Sequence, residues 1–328
     1  MRSAVSAASA GDKIFVTSGT YNEDVSITTD GLKLIGCGSA TNARPYLPRS
    51  QGNARGMQAT GADDLVFQSF EFFDWNDDAI FVAQANGVAF RDIVDDGNLN
   101  TRYAVFPVQS TNVLVEACDV RRDDDAPIYV GQSEDIVVRF NHVRDAVAAI
   151  EIENCEGALV HNNISENNTA GLLVFKDPNL PDQDSHDHVV LSNVLQNNNT
   201  PNFGSGFVAN VPSGTGMMIF STDDSLFQGN IIRGNDQFGV ALLDQQIINA
   251  LVDPDPFPVL SADQNSLNNK VRRNHFLANG QNGDPDVPAA GDRVLGLGDD
   301  NGGNHNNCLS PNSPGGTLFP LTSEDCTP

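Results

Sequence analysis

Lysine is almost missing from this chain. Four occur, Lys13, Lys33, Lys176 and Lys270, and Lys plus Arg total 18 against 43 Asp plus Glu, a formal charge of −25 over 328 residues. Phosphate-backbone binding needs clustered cations, so a nucleic-acid partner is excluded. Docking to anionic membrane is disfavoured for the same reason. No apolar run approaches the roughly 18 residues of a spanning helix, so no membrane insertion is expected. An acidic, lysine-poor surface fits a saline or calcium-containing habitat. Cysteine is scarce, with five in all. Cys308 and Cys326 lie in an irregular tail and are the disulfide candidates. Cys118 and Cys155 sit at unequal repeat offsets and read as small buried side chains, free as thiols. Residues 1–10 are too short and too weakly apolar for a signal peptide, so an export signal is expected to have been removed.

What the chain does have is a repeat. Asn112-Val113-Leu114-Val115, Asp135-Ile136-Val137-Val138 and Gly157-Ala158-Leu159-Val160 open three consecutive units. Later triplets follow in each: Ile128-Tyr129-Val130, Ile150-Glu151-Ile152 and Leu172-Leu173-Val174. Short strands recurring every 22 to 25 residues, without helical periodicity, indicate a stacked β-solenoid. Units start near Leu65, Val88, Val113, Ile136, Ala158, Val189, Ser225 and Lys270, and the last intervals lengthen to 31, 36 and 45 residues. The extra residues fall at 176–187, 200–216 and 245–267; insertions on one face of a solenoid usually build a binding face, or else these only shield the lower stack. The expected organisation is one domain. Residues 1–10 form a cap with a short helix, 11–60 the first coil and a polar loop, 61–278 the regular coils and 279–328 an irregular tail. Asn141, Asn163 and Asn230 share one offset, occupied by Cys118 in its unit. They read as a structural ladder, Asn tolerating left-handed backbone and bonding the next coil.

Strand alternation sorts the side chains. In the opening strand, Gln68, Arg91, Glu116, Arg139 and His161 form an outward, sign-alternating column, a solvated ladder. In the later strand, Ile150 and Ile152 point in, while Phe81, Phe106, Tyr129, Glu151 and Leu173 point out. An exposed aromatic stripe beside carboxylates suits a sugar, whose C–H faces stack on rings, or else it is covered by the N-terminal segment or a long loop. Glu151 and Glu153 lie two apart on one face, about 6 to 7 Å at Cα, within the range of glycosidase acid/base pairs. They are the catalytic candidates, or else a solvated acidic pair. Asp123-Asp124-Asp125 and Asn76-Asp77-Asp78 offer clustered oxygens for calcium, or else exposed turn residues.

The run Tyr103-Ala-Val-Phe-Pro-Val-Gln-Ser-Thr-Asn-Val-Leu-Val-Glu, with Ile128-Tyr-Val-Gly-Gln-Ser, Ala149-Ile-Glu-Ile-Glu-Asn, Gly171-Leu-Leu-Val-Phe and Gly214-Thr-Gly-Met-Met, resembles bacterial parallel β-helix repeat proteins of the pectin-lyase-like superfamily. The resemblance spans residues 64–243 and, faintly, 11–38. It implies an all-β, right-handed helix of three parallel sheets, without fixing a reaction. The superfamily's uronan epimerases carry Asp-Pro-His where this chain has Phe106-Pro107-Val108, so the proline matches and both catalytic residues are absent.

The expectation is therefore a secreted or periplasmic β-helix that binds, and as an enzyme cleaves or modifies, a polysaccharide or cell-envelope glycan. Hydrolase and lyase both stay open. Glu151 and Glu153 would supply acid and base, Phe81, Phe106 and Tyr129 the floor, and Arg102, Lys176 and His186 assistance, with Ca2+ the one cofactor the residues suggest. The alternative is a non-catalytic docking or structural module. The oligomeric state is left open.

Overall fold

β-branched residues alternating with polar ones favour a pleated surface with one apolar face. Repeating that pattern every coil stacks like on like. In the computed structural model, residues 1–38, 44–49, 54–251, 264–287, 290–295, 305–309 and 312 are described. They form three parallel sheets of ten strands each. Sheet A runs from Lys13–Thr17 to Lys270–Arg272, sheet B from Gly19–Thr20 to His275–Leu277 and sheet C from Val25–Ile27 to Gly291–Leu295. Each coil contributes one strand to each sheet, and every strand pairs with its equivalents one coil away. The expected β-helix is the structure found.

The interior is a continuous stack of apolar side chains, including Val113, Ile136 and Ala158 from sheet A and Ile128, Ile150 and Leu172 from sheet C. Near the N-terminal end aromatics fill the wider space. Phe67 and Phe90 stack at 5.5 Å. Trp75 is fully buried, and its indole Nε1–H donates to the Leu47 carbonyl at 3.1 Å. The short helix Arg2–Ala7 inserts Val5 into the same core.

The asparagine ladder is present and longer than the sequence suggested. The Cys118 amide donates to Asn141 Oδ1 at 2.9 Å, and the Asn141 amide to Asn163 Oδ1 at 3.0 Å. The chain continues through Asn193, Asn230 and Asn274 to Asn312. Each Nδ2 also satisfies a strand carbonyl, as Asn163 does at Val138. One correction concerns the backbone. The left-handed residue is the one before each rung, for instance Phe140, Asn162, Ser192 and Arg273. Asparagine is required here for its amide, which donates and accepts at once. A second ladder, Asn168, Asn198, Asn235 and Asn279, lines the corner after sheet B.

Three boundaries differ from expectation. Residues 11–60 hold two coils, since Pro45–Pro48 and Met57–Thr60 are strands where a loop was expected. The tail contributes Gly291–Leu295 to sheet C, so it is not wholly irregular. Val189 pairs with Leu159, and Lys270 with Leu226, one residue from the expected alignment. The reason is polar. His188 and Asn269 take the inward corner position, where they accept the amides of Ala158 and Ser225. Cys37, Cys118 and Cys155 are free, as expected of the latter two. Cys308 is disulfide-bonded, and Cys326 lies outside the described residues.

Candidate active site on the outer face of sheet C

Alternation holds in the later strand: Ile150 and Ile152 enter the core, and Glu151 and Glu153 leave it. Register then builds two outward columns. One runs Tyr129, Glu151, Leu173, Met218, Ala241, and the other Gly131, Glu153, Phe175, Phe220, Leu243. Phe81 and Phe106 precede Tyr129 on the first.

This face is covered, which corrects the expected open stripe. The insertion at 200–216 carries a short 3-10 helix, Gly206–Asn210, and helix Gln245–Leu251 follows sheet C. Val208, Val211 and Ile248 from these segments form a second apolar cluster with Leu173, Phe175, Met218 and Phe220. The outward residues of the last coils are apolar because they sit under a lid. Phe81 and Phe106 are half-buried, while Tyr129 is 6% exposed and Glu151 only 2%.

Between the lidded half and the aromatic half lies a buried acidic cluster. Tyr103, Phe106 and Tyr129 pack ring to ring, with centroids 4.6 to 4.8 Å apart. The Tyr103 hydroxyl donates to Asp125 Oδ2 at 3.2 Å, and Arg102 Nε donates to the same oxygen at 3.3 Å. The Arg102 guanidinium also lies 4.6 Å above the Tyr103 ring. The Tyr129 hydroxyl donates to Glu153 Oε2. Glycine at 131 is a steric requirement, since a Cβ there would sit 2.6 Å from the Tyr129 ring. Two oxygens remain without a hydrogen-bond partner though buried, Glu151 Oε1 and Asp125 Oδ1.

Burial dominates the electrostatics, because it penalises the charged form. It pushes Asp125 up to about 6, against the opposing pull of Arg102. It pushes Glu153 up to about 8, against the bond from Tyr129. Glu151 is driven well above the carboxylate range by burial, then by the charges of Asp125 and Glu153. At neutral pH the cluster therefore holds an ionisable base beside protonated acids, the separation of roles that acid–base chemistry uses.

The expected site residues are only partly brought together. Arg102, Phe106, Tyr129, Glu151 and Glu153 converge. Lys176 is buried, and its carbonyl accepts from Gln245 Nε2 at 2.9 Å. His186 sits at the turn into sheet A, 3.0 Å from Asp187 and 3.7 Å from Glu156. The three consecutive aspartates diverge. Asp123 is buried and accepts the Ala104 amide, while Asp125 joins Tyr103 and Arg102. Asp124 is half-buried. Among the described residues no group of His, Cys, Asp or Glu is arranged to hold a metal ion. Sequence reasoning missed Tyr103, which lies next to Arg102, and Arg55, which pairs with Asp78. Arg55 Nε reaches Asp78 at 2.6 Å and its guanidinium lies 3.8 Å over Phe81. Arg55 precedes the regular repeats, so periodicity carried no signal for it.

The fold places the chain among known β-helices. The family described as right handed beta helix region matches residues 26–181, just under half of the chain. The A-module of mannuronan C-5 epimerase from Azotobacter vinelandii superposes with a TM-score of 0.59 at 13% identity, over 90% of this chain and 88% of that one. DFA-IIIase from Arthrobacter chlorophenolicus gives 0.55 at 13% identity, over 87% and 81%. The catalytic unit of a GH87 alpha-1,3-glucanase from Streptomyces thermodiastaticus gives 0.57 at 16% identity, over 90% of this chain but 46% of its own. No curated protein sequence matches. The chain is a right-handed parallel β-helix. At these identities the likeness establishes fold alone.

Proposed function

We propose that the cluster of Asp125, Glu151 and Glu153 is the acid–base centre of an extracytoplasmic, glycan-acting enzyme, and that its substrate is a neutral glycan. The observation that supports this is the pair of buried, unpartnered oxygens, Glu151 Oε1 and Asp125 Oδ1, on an outward face walled by tyrosines. A glycosidic oxygen would accept from protonated Glu151, and a water or sugar hydroxyl would donate to Asp125. Glu151, neutral at working pH, donates the proton to the leaving oxygen. Asp125, which ionises first, is the base. The reaction is then hydrolysis. A polyuronate would bring further carboxylates to this cluster, where the cation present, Arg102, is already bonded to Asp125. The likeness to three β-helices whose names denote carbohydrate enzymes supports the class, and the bonded Cys308 fits an oxidising compartment.

Entry requires the Arg102 side chain, 55% exposed, to swing off Tyr103. Near-complete burial of Glu151 favours one other reading, a sealed cluster beneath a non-catalytic docking face. The test is a panel of neutral and uronate polysaccharides assayed for binding and for new reducing ends. Turnover of a neutral glycan is expected. Turnover confined to uronates contradicts the substrate class, and binding without turnover supports the docking reading.

A further inference from the structure

The corner between sheets C and A carries a cleft beside the acid cluster. At this corner each coil turns through one left-handed residue. On three successive coils that residue is glutamine: Gln84, Gln109 and Gln132, with φ of 56, 49 and 45°. Left-handed backbone favours glycine, asparagine and aspartate, so the turn itself does not account for glutamine three times running. Gln84 and Gln109 are exposed and Gln132 is half-buried. Gln84 Nε2 donates to Gln109 Oε1 at 3.4 Å, and Gln132 Nε2 donates to the Tyr129 hydroxyl at 3.5 Å. Gln84 Oε1, Gln109 Nε2 and Gln132 Oε1 are then free to bond a ligand. The next residue at this corner is Asn154, which ends the run. Its Nδ2 donates to the carbonyls of Asp177 and Asp182, and its Oδ1 accepts the Asp177 amide at 2.7 Å. Asn154 thereby ties down the insertion at 176–187. Pro181 and Asp182 of that insertion line, with the glutamines, a cleft of about 600 Å³. That volume lies within the roughly 300–1,000 Å³ of ligand pockets. The charged residues lining it are Glu134 and Asp182, so it disfavours an anionic ligand. Between the glutamines and the rings of Phe81, Phe106 and Tyr129 stand only Ala83, Val108 and Gly131, in register.

We propose that this cleft binds a straight run of a neutral glycan, parallel to the coil axis, and leads it to the acid cluster. That the ligand is a glycan rests on the reading of that cluster given above. Coils rise by about 4.8 Å, so the glutamines repeat at that spacing and span about 10 Å. A sugar chain with equatorial linkages is an extended ribbon. It advances by a similar distance per residue and keeps each sugar against the column. A chain with axial linkages coils and leaves the column. A primary amide donates and accepts side by side, which matches the neighbouring hydroxyls of a pyranose. Gln132 joins the cleft to the acids, because the Tyr129 hydroxyl it touches is the donor to Glu153. The bound run therefore passes from Gln84 to Gln132, one sugar per coil, and stops where the insertion held by Asn154 closes the corner.

The test is isothermal titration with β-1,4-linked gluco-, manno- and xylo-oligosaccharides of two to six sugars, with α-1,4-linked gluco-oligosaccharides as the coiled control. Glu151→Gln serves as the parent protein, so that hydrolysis does not consume the probe. In at least one β-linked series affinity should rise by about threefold to tenfold per sugar up to the tetrasaccharide and then level. Replacing Gln84 and Gln109 together by Ala should remove that gain and leave disaccharide binding unchanged. Replacing both by Asn, which suits left-handed backbone but lacks the reach, should do the same. Circular dichroism spectra matching the parent confirm that each variant is folded. Four results would each overturn the proposal: no binding by any β-linked series, affinity indifferent to length, an equal gain along the α-linked series, or a double variant that binds tetrasaccharide like its parent. Wild type that binds with this length dependence but releases no reducing ends supports the cleft and overturns the acid–base reading.

Discussion

Glu153→Gln is the most informative single change in stability, because it isolates one buried acid. Glu153 is 7% exposed and accepts the Tyr129 hydroxyl. Its ordinary value of 4.5 is raised to about 8 in the fold, chiefly by burial. Below pH 4.5 both folded and unfolded chains hold the proton, and the group's contribution is fully present. Between 4.5 and about 8 the unfolded chain releases the proton and the folded one keeps it. Stability therefore falls as pH rises, by about 1.4 kcal/mol per pH unit, or on the order of 4–5 kcal/mol across the window. Glutamine is neutral at every pH, and its carbonyl accepts the same tyrosine hydroxyl. The variant should match wild type within about 1 kcal/mol at pH 4.5. It should be more stable by several kcal/mol at pH 8.5. Glu151, Asp78 and Asp95 are also raised by burial and slope in the same direction, so the comparison is of slopes, not of absolute values. Denaturant midpoints at pH 4.5, 6.5 and 8.5 make the measurement. Parallel curves for the two proteins would refute the reasoning.

Other outcomes follow from the same geometry. Asn163→Ala should cost about 3–5 kcal/mol, because it orphans the Asn141 amide and the Val138 carbonyl inside the coil; a loss under about 1 kcal/mol by equilibrium denaturation would contradict the ladder's role. Arg139→Ala, in a half-exposed pair with Glu116, should change stability by no more than about 1 kcal/mol in the same assay. Arg102→Ala removes the cation that holds Asp125 down, so the acid limb of a rate–pH profile should move upward from about pH 6; an unmoved limb would remove Asp125 as the base. Thiol titration of denatured, unreduced protein should find three reactive cysteines, Cys37, Cys118 and Cys155. Five would mean that Cys308 is unbonded.

The fold was legible because a period-two pattern repeated every coil leaves little freedom. Shifting Ile150 and Ile152 outward would bury Glu151 in the core, so register follows directly from the residues. The column Gln68, Arg91, Glu116, Arg139, His161 pairs as read. Direction did not give exposure, however. Glu151 and Tyr129 do point outward, yet neighbouring side chains and lids bury them, and lids belong to insertions that carry no repeat. Tyr129→Ala would therefore open a cavity and remove the tyrosine donor to Glu153. The second asparagine ladder was missed because Asp123 and Ala146 occupy its first rungs and hide the period. His186 was placed near the site by proximity in sequence, whereas its bridges with Glu156 and Asp223 carry it to the edge of sheet A.

The central claim is that Glu151 is a working proton donor and not a sealed structural acid. Release of reducing ends from the best neutral glycan, wild type against Glu151→Gln, tests it most directly, with binding of the same glycan measured alongside. The amide keeps the shape and the neutral charge of the protonated acid but has no proton to give. The account predicts retained binding and turnover reduced at least 100-fold. Turnover within a factor of two of wild type would contradict it.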